Sequence, residues 1–271
     1  LRLFSSKPAQ PNAPRRILDT RELLAVEFTC KPMSYGDYKT IFAITIKIGP
    51  GRLYMIQKLK EFLERYDRSE SYTFTRHFTY DPQLHRLSPA DDAVLRKLIH
   101  IMRQEQMVLS AMYTFSEKSA AIGGDRHQII LPLFWPLLHP MLLEAERVKL
   151  EQDGIGYDGV QLTDEPIPLQ FDFDESRLAA DSSYVLRIHG IDQITVMDDY
   201  GLVLFGGKLA KLADTQVERL AGLKRMLLRT DQQQLHIPAD QIGPFVDKVL
   251  PGLMKLGSVH ISQHLSEQVL Q

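Results

Sequence analysis

The sequence has 271 residues, of which 44% are hydrophobic and 24% charged, with a formal net charge of -2. That length supports one large domain or two small ones around a sizeable core, and the near-neutral charge removes any global attraction to DNA, RNA or anionic lipid. With one cysteine, Cys30, no disulfide closes within the chain and no thiolate zinc cluster forms, which fits a reducing compartment.

Residues 5–16 are rich in Ser, Pro, Asn and Arg, and residues 1–22 read as a mobile lead-in. This start lacks the apolar core of a signal peptide, and no later run approaches the ~18 apolar residues of a spanning helix. It begins with Leu1 rather than Met, so the chain is expected to be cut from a longer protein whose remainder carries the activity.

LLAVEFTC (23–30) predicts a first strand. In IFAITIKIG (41–49), Phe42, Ile44, Ile46 and Ile48 alternate with Ala43, Thr45 and Lys47, the pattern of a half-buried strand. Gly49-Pro50-Gly51 then turns the chain into a returning strand, RLYMI (52–56). Leu59, Phe62, Leu63 and Tyr66 recur at helical spacing among Lys58, Lys60, Glu61, Glu64 and Arg65. SYTFTRHFTYDP (71–82) alternates again and ends in a turn. Ser88, Pro89 and Asp91 open a second helix as cap, first residue and dipole partner, and its buried face is Leu95, Leu98, Ile99 and Met102.

RHQIILP (126–132) predicts a short strand. In FWPLLHPMLLEAERVKLEQDG (134–154), Pro136 and Pro140 are expected to confine a regular helix to the residues beyond them. DGIGYDG (153–159) and TDEPIP (163–168) form the most turn-rich region. It divides an N-terminal α+β subdomain (23–155) from a C-terminal one (160–271). The latter opens as a β-meander, PLQFDFD, SYVLRIHG, QITVMDD and GLVLFGGKLAKL, with Gly206-Gly207 as a hairpin turn. TQVE (215–218) fits a capping box for a helix carrying Leu220, Leu223, Leu227 and Leu228. IPADQIGPFVDKVLPGLMKLG (237–257) reads as a helical pair or a kinked helix. The fold class is α+β: antiparallel hairpins and a C-terminal β-meander packed with several amphipathic helices.

Motifs with chemical potential resolve into turns. A phosphate loop needs inward backbone N–H groups at a helix start. Pro50 removes one such donor, and a strand follows Gly51. GLVLFGGKL (201–209) misses the Walker A spacing by one residue and places Leu209 where a Mg²⁺-binding hydroxyl belongs. Asp172 and Asp174 alternate with Phe171 and Phe173, which predicts a solvated strand face, and Asp198-Asp199 precedes a turn. His260 and His264 have i, i+4 spacing without the glutamate or further ligands of a zinc site. Basic clusters lie at Arg15-Arg16, at Lys58, Lys60, Arg65 and Arg68, at Lys208 and Lys211, and at Lys224, Arg225 and Arg229, interspersed with acids.

Five fragments occur in order over residues 23–262: LLAVEF, ITIKIGPGRLYMIQKLKEFLERY, FTYDPQLHRLSPADDAVL, YVLRIHGIDQITVMDDYGLVLFGGKLAKL and IPADQIGPFVDKVLPGLMKLGSVHIS. On these the chain resembles the bacterial Swi/Snf helicase-associated domain. That resemblance implies a cytoplasmic, ATP-dependent, DNA-directed parent. The module precedes a two-lobed ATPase and often follows a zinc-binding SWIM segment. The ATP site, the Asp-Glu box and the arginine finger belong to the ATPase, so no catalytic, cofactor or metal residue carries over to this chain.

The expected function is therefore that of a noncatalytic accessory module without cofactor. Its partners would be the Swi/Snf ATPase lobes in cis, weakly bound DNA and an unidentified protein, with no membrane. The candidate surfaces are the face carrying Lys58, Lys60, Arg65 and Arg68, and the meander (184–211) carrying Lys208 and Lys211. Two alternatives stand beside it. One is a protein-interaction domain for the transcription machinery without DNA contact. The other is an enzyme using Asp172, Asp174 or Asp198.

Overall fold

The computed structural model describes residues 19–35, 39–112, 124–176, 183–227 and 234–262. The predicted lead-in up to residue 18, Leu228, Arg229 and His264 lie outside them.

Short strand β1 (Glu22–Leu23) leads into β2 (Ala25–Tyr35), which pairs antiparallel with β3 (Lys39–Gly49) along its whole length. The Gly-Pro-Gly turn brings back β4 (Tyr54–Met55) against Lys47 and Ile48. A Cβ on Gly49 would lie 2.0 Å from the Arg52 carbonyl oxygen, so the turn closes only around glycine. The expected half-buried strand 41–49 is instead covered on both faces over Ile41–Ile46. Ala43, which is fully buried, sits in register between Lys31 and Ile129, and those longer side chains shade the small one.

Helix α1 (Leu59–Asp67) buries Leu59, Phe62 and Leu63 as predicted. The stretch 71–82 folds as a hairpin of β5 (Tyr72–Thr75) and β6 (Phe78–Tyr80), and β7 (His85–Arg86) runs beside β1. Helix α2 (Pro89–Met112) starts where predicted: the Asp91 N–H donates to Ser88 Oγ at 3.1 Å. Asp91 is itself buried, and desolvation raises its pKa.

Strand β8 (Gln128–Ile130) adds to β3. Helix α3 (Trp135–Glu144) then corrects an expectation, because it starts at Trp135 and contains both prolines. Pro136 occupies the first turn, where its missing N–H costs nothing, and Pro140 sits on the exposed side. The predicted helical tail is a strand, β9 (Val148–Gln152), parallel to β2. Its burial alternates residue by residue, the period of a strand. The turn-rich stretch that follows is a hairpin with β10 (Ile155–Asp158), turned by Asp153 and Gly154 at φ of 52° and 80°.

The predicted meander divides between two sheets. Strands β11 (Gln170–Ser176) and β12 (Ser183–His189) form one hairpin. Strands β13 (Ile194–Met197), β14 (Leu202–Phe205) and β15 (Lys208–Lys211) form a separate three-stranded sheet. Gly206 and Gly207 make its second turn, at φ of 52° and 74°. Helix α4 (Asp214–Leu227) starts earlier than the predicted capping box. The chain flanks it with Ala213, whose N–H is taken by the Gln216 side chain at 3.2 Å, so Gln216 plays the part assigned to Glu218. Strand β16 (Gln234–Pro238) pairs with β12, an irregular helical run covers 239–253, and β17 (Ser258–Ile261) runs parallel to β11. His260 lies on this strand, so helical spacing does not govern it.

Two apolar cores result. The first joins β2, β3 and β9 to α1, α2 and α3; the second joins β11, β12 and β16 to α4 and the 239–253 run. The three-stranded sheet is the wall between them. Met197, Leu202, Leu204 and Leu209 enter the first core, while Ile194, Val203, Phe205 and Ala210 enter the second. Strict alternation puts every side chain of β14 into one core or the other.

Polar contacts lock the wall to the first sheet. Tyr200 Oη donates to the Ile130 carbonyl (2.5 Å) and accepts from the Phe42 N–H (3.0 Å). Gln152 reaches the Gln193 and Leu204 carbonyls and accepts from the Gly207 N–H. A Cβ on Gly207 would strike the Tyr157 ring at 2.1 Å, so this glycine serves both the turn and the junction.

Candidate interaction cleft

A cleft of about 870 Å³ opens where the strap 163–169 crosses from β10 toward β11. The strap is held at both ends. Leu162 bridges Leu209 in parallel, and the Thr163 N–H donates to the Leu209 carbonyl at 2.7 Å. Further on, the Ser258 N–H donates to the Leu169 carbonyl at 3.1 Å. Two glycines let it pass. A Cβ on Gly190, at φ 82°, would lie 2.0 Å from the Pro168 oxygen, and one on Gly257 would lie 2.2 Å from the Leu169 oxygen.

Lys208 and Lys211 belong to this cleft region. Lys208 Nζ grips both carboxylate oxygens of Glu165 at 2.5 Å, tying β15 to the strap. Lys211 lines the cleft and faces solvent, as does Lys255. Asp164 and Glu165 line it as well, so the charged side chains of both signs balance. His189 stands at its edge with Nε2 2.8 Å from Asp172 Oδ2. A hydrogen bond from Gln170, then the one to His189, holds the Asp172 carboxyl below the usual range.

The other predicted group lies on a different element. Lys58 and Arg65 both approach Glu61, at 3.7 and 3.2 Å, and Arg68 approaches Glu64 and Glu70, each at 3.8 Å. Lys60 is exposed and contributes a favourable field at Glu105. Asp67 on the same helix is held by Arg103 of α2. The face is thus a lattice of alternating signs rather than a basic stripe.

The carboxylates considered for catalysis do not gather. Asp174 accepts from the Glu175 N–H at 2.8 Å, Asp198 opens a short 3₁₀ turn, and neither they nor Asp172 line the cleft. Among the described residues, no group of three or more His, Cys, Asp or Glu stands close enough to hold a metal ion, and no helix is long and apolar enough to cross a membrane. The buried Cys30 thiol is pushed up to about 12 by desolvation, which leaves it without nucleophilic character.

Sequence reasoning missed three features. Glu27, buried on the first sheet, pairs with Lys47 (2.7 Å) and Lys149 (3.7 Å) across three strands. Glu105, taking a 2.6 Å hydrogen bond from Gln128, has its pKa raised to about 6 by burial. The third is an apolar ridge on α3. Only this last one had a sequence signal: no Asp, Glu, Lys or Arg occurs from His127 to Leu143.

The family model described as bacterial SNF2 helicase associated matches residues 126–271, more than half of the chain. The chain belongs to this bacterial SNF2 helicase-associated family. Curated proteins give no match. The matched segment of the SNF2-associated module begins just before β8 and includes α3, the strap and the whole cleft.

Proposed function

We propose that the chain is a noncatalytic accessory module of a cytoplasmic SNF2-type helicase or translocase, an interface for the ATPase that meets DNA only weakly. Family membership supplies the helicase context. The observation that carries the rest is charge pairing on the candidate surfaces. Lys58, Arg65 and Arg68 each stand beside a glutamate, and Lys208 is spent on Glu165.

A phosphate backbone binds through cations that give up counterions, and each such contact steepens the salt dependence. Cations already facing carboxylates contribute little to that term. A titration of labelled duplex DNA with the chain at about 50 and 200 mM salt is expected to give weak binding that collapses at the higher salt. Tight, salt-insensitive or sequence-selective binding by the chain alone would overturn the proposal.

A further inference from the structure

The strap begins as an added strand on β15 and then leaves it. Leu162 bridges Leu209 in parallel, and the Thr163 N–H donates to the Leu209 carbonyl. The next rung of such a ladder would join the Glu165 N–H to the Lys211 carbonyl. Thr163 Oγ1 takes that N–H instead, at 3.2 Å, and Pro166 and Pro168 have none to give. On its inner side Lys211 faces Leu202 of β14. The bonded pairs of that ladder fall at the neighbouring positions, as the 3.0 Å bond from the Leu212 N–H to the Gly201 carbonyl fixes. The Lys211 N–H and C=O therefore point away from β14, toward the cleft, with no partner among the described residues.

We propose that this open edge receives an extended peptide with acidic side chains, from a partner protein, which adds a strand to β15 beside the strap. Two observations select that chemistry. First, an edge residue that offers both a donor and an acceptor is complemented by another main chain, whereas a phosphate backbone supplies acceptors only. Second, the cleft holds more free positive charge than negative. Lys211 and Lys255 line it with no carboxylate in ion-pair contact among the described residues, while Glu165 is already bound by Lys208. Asp164 is then the one free acid among the described residues of the lining. Gln216 keeps the two lysines at one end of the cleft: its side chain takes the Ala213 N–H at 3.2 Å and donates to the Lys255 carbonyl at 3.5 Å. A peptide residue opposite Lys211 shares its face, so a glutamate or aspartate there meets the Lys211 ammonium. Leu212 and Met254, the latter 64% exposed, add apolar surface beside them. The volume of about 870 Å³ falls within the ~300–1,000 Å³ typical of ligand clefts. The peptide site does not depend on the ATPase reading above.

Fluorescence polarisation with the whole chain tests this, using a labelled peptide that alternates valine and glutamate. The expected result is saturable binding of this peptide, little of its valine–lysine counterpart, and several-fold weaker binding when the amides of the acidic peptide are N-methylated. Lys211→Gln and Lys255→Gln should each weaken binding about two- to fivefold and leave the melting temperature unchanged. Hydrogen exchange adds a readout that ionic attraction alone would not move: the Lys211 amide should exchange several-fold more slowly with the peptide bound. Absence of binding by the acidic peptide overturns the proposal, as does equal binding of its N-methylated form or an unchanged Lys211 amide. Displacement of the peptide by inorganic phosphate or duplex DNA at constant ionic strength also overturns it, since the lysines would then form a general anion site. Each of these failures leaves the accessory-module reading standing, which the DNA-stimulated ATPase rate decides.

Discussion

Glu105 holds its proton more tightly in the folded chain than in the unfolded one, because burial raises its pKa from 4.5 to about 6. Between those values the native state binds the extra proton, so stability falls as pH rises from about 4.5 through about 6. Above that window the ionised carboxylate costs about 1–2 kcal/mol. Urea titrations of wild type and Glu105→Gln should therefore diverge as pH rises, with the variant gaining; parallel curves from pH 4 to 7 would refute this. Tyr200 acts through hydrogen bonds instead. Its hydroxyl serves both Ile130 and Phe42 at the junction of the two cores, so Tyr200→Phe leaves two buried backbone groups unpaired. A loss of about 1–3 kcal/mol is expected in chemical denaturation. Gly190 makes a third case, since Gly190→Ala would drive a Cβ into the Pro168 carbonyl at positive φ. It should cost more than about 2 kcal/mol, whereas alanine at Gly51, which meets nothing within 4 Å, should cost far less.

At the scale of elements, α1 is legible in the sequence and α3 is not, for one reason. Three- and four-residue spacing named the buried face of α1, because its outer face is charged and the contrast is sharp. α3 has apolar residues on both sides, so periodicity offers no contrast, and its two prolines read as breakers although the first turn tolerates one. The turns were legible because glycine at positive φ is a local requirement, as at Gly206 and Gly207. Division of the meander into two sheets was not legible. It depends on β14 being buried on both faces, a fact of tertiary packing rather than of alternation. Of the cleft, Lys211 on the β15 side was legible as an exposed cation, but the strap and its glycine passage join residues far apart in sequence. The α1 charge lattice carries its own prediction. Glu61→Gln and Glu64→Gln together should strengthen DNA binding at low salt and change stability by less than about 1 kcal/mol. DNA binding unaltered by this double change would remove α1 from any nucleic-acid contact.

For the whole molecule, the family-matched segment is not the folding unit. β8 and β9 take their partners from β3 and β2, α3 packs on α2, and Tyr200 closes on Phe42, all outside residues 126–271. The segment 126–271 alone should lack a cooperative melt, and a sharp one would contradict this. Charge balance, the locked wall between two cores and family membership are the grounds for the proposal of a rigid accessory body beside an ATPase. The DNA-stimulated ATPase rate of the parent helicase, with and without residues 1–271, tests that conclusion most directly. The account predicts that ATP hydrolysis persists without the chain, because the proposal puts the ATP site outside these residues, and that its stimulation by DNA changes several-fold. Superimposable rates for the two proteins would contradict it.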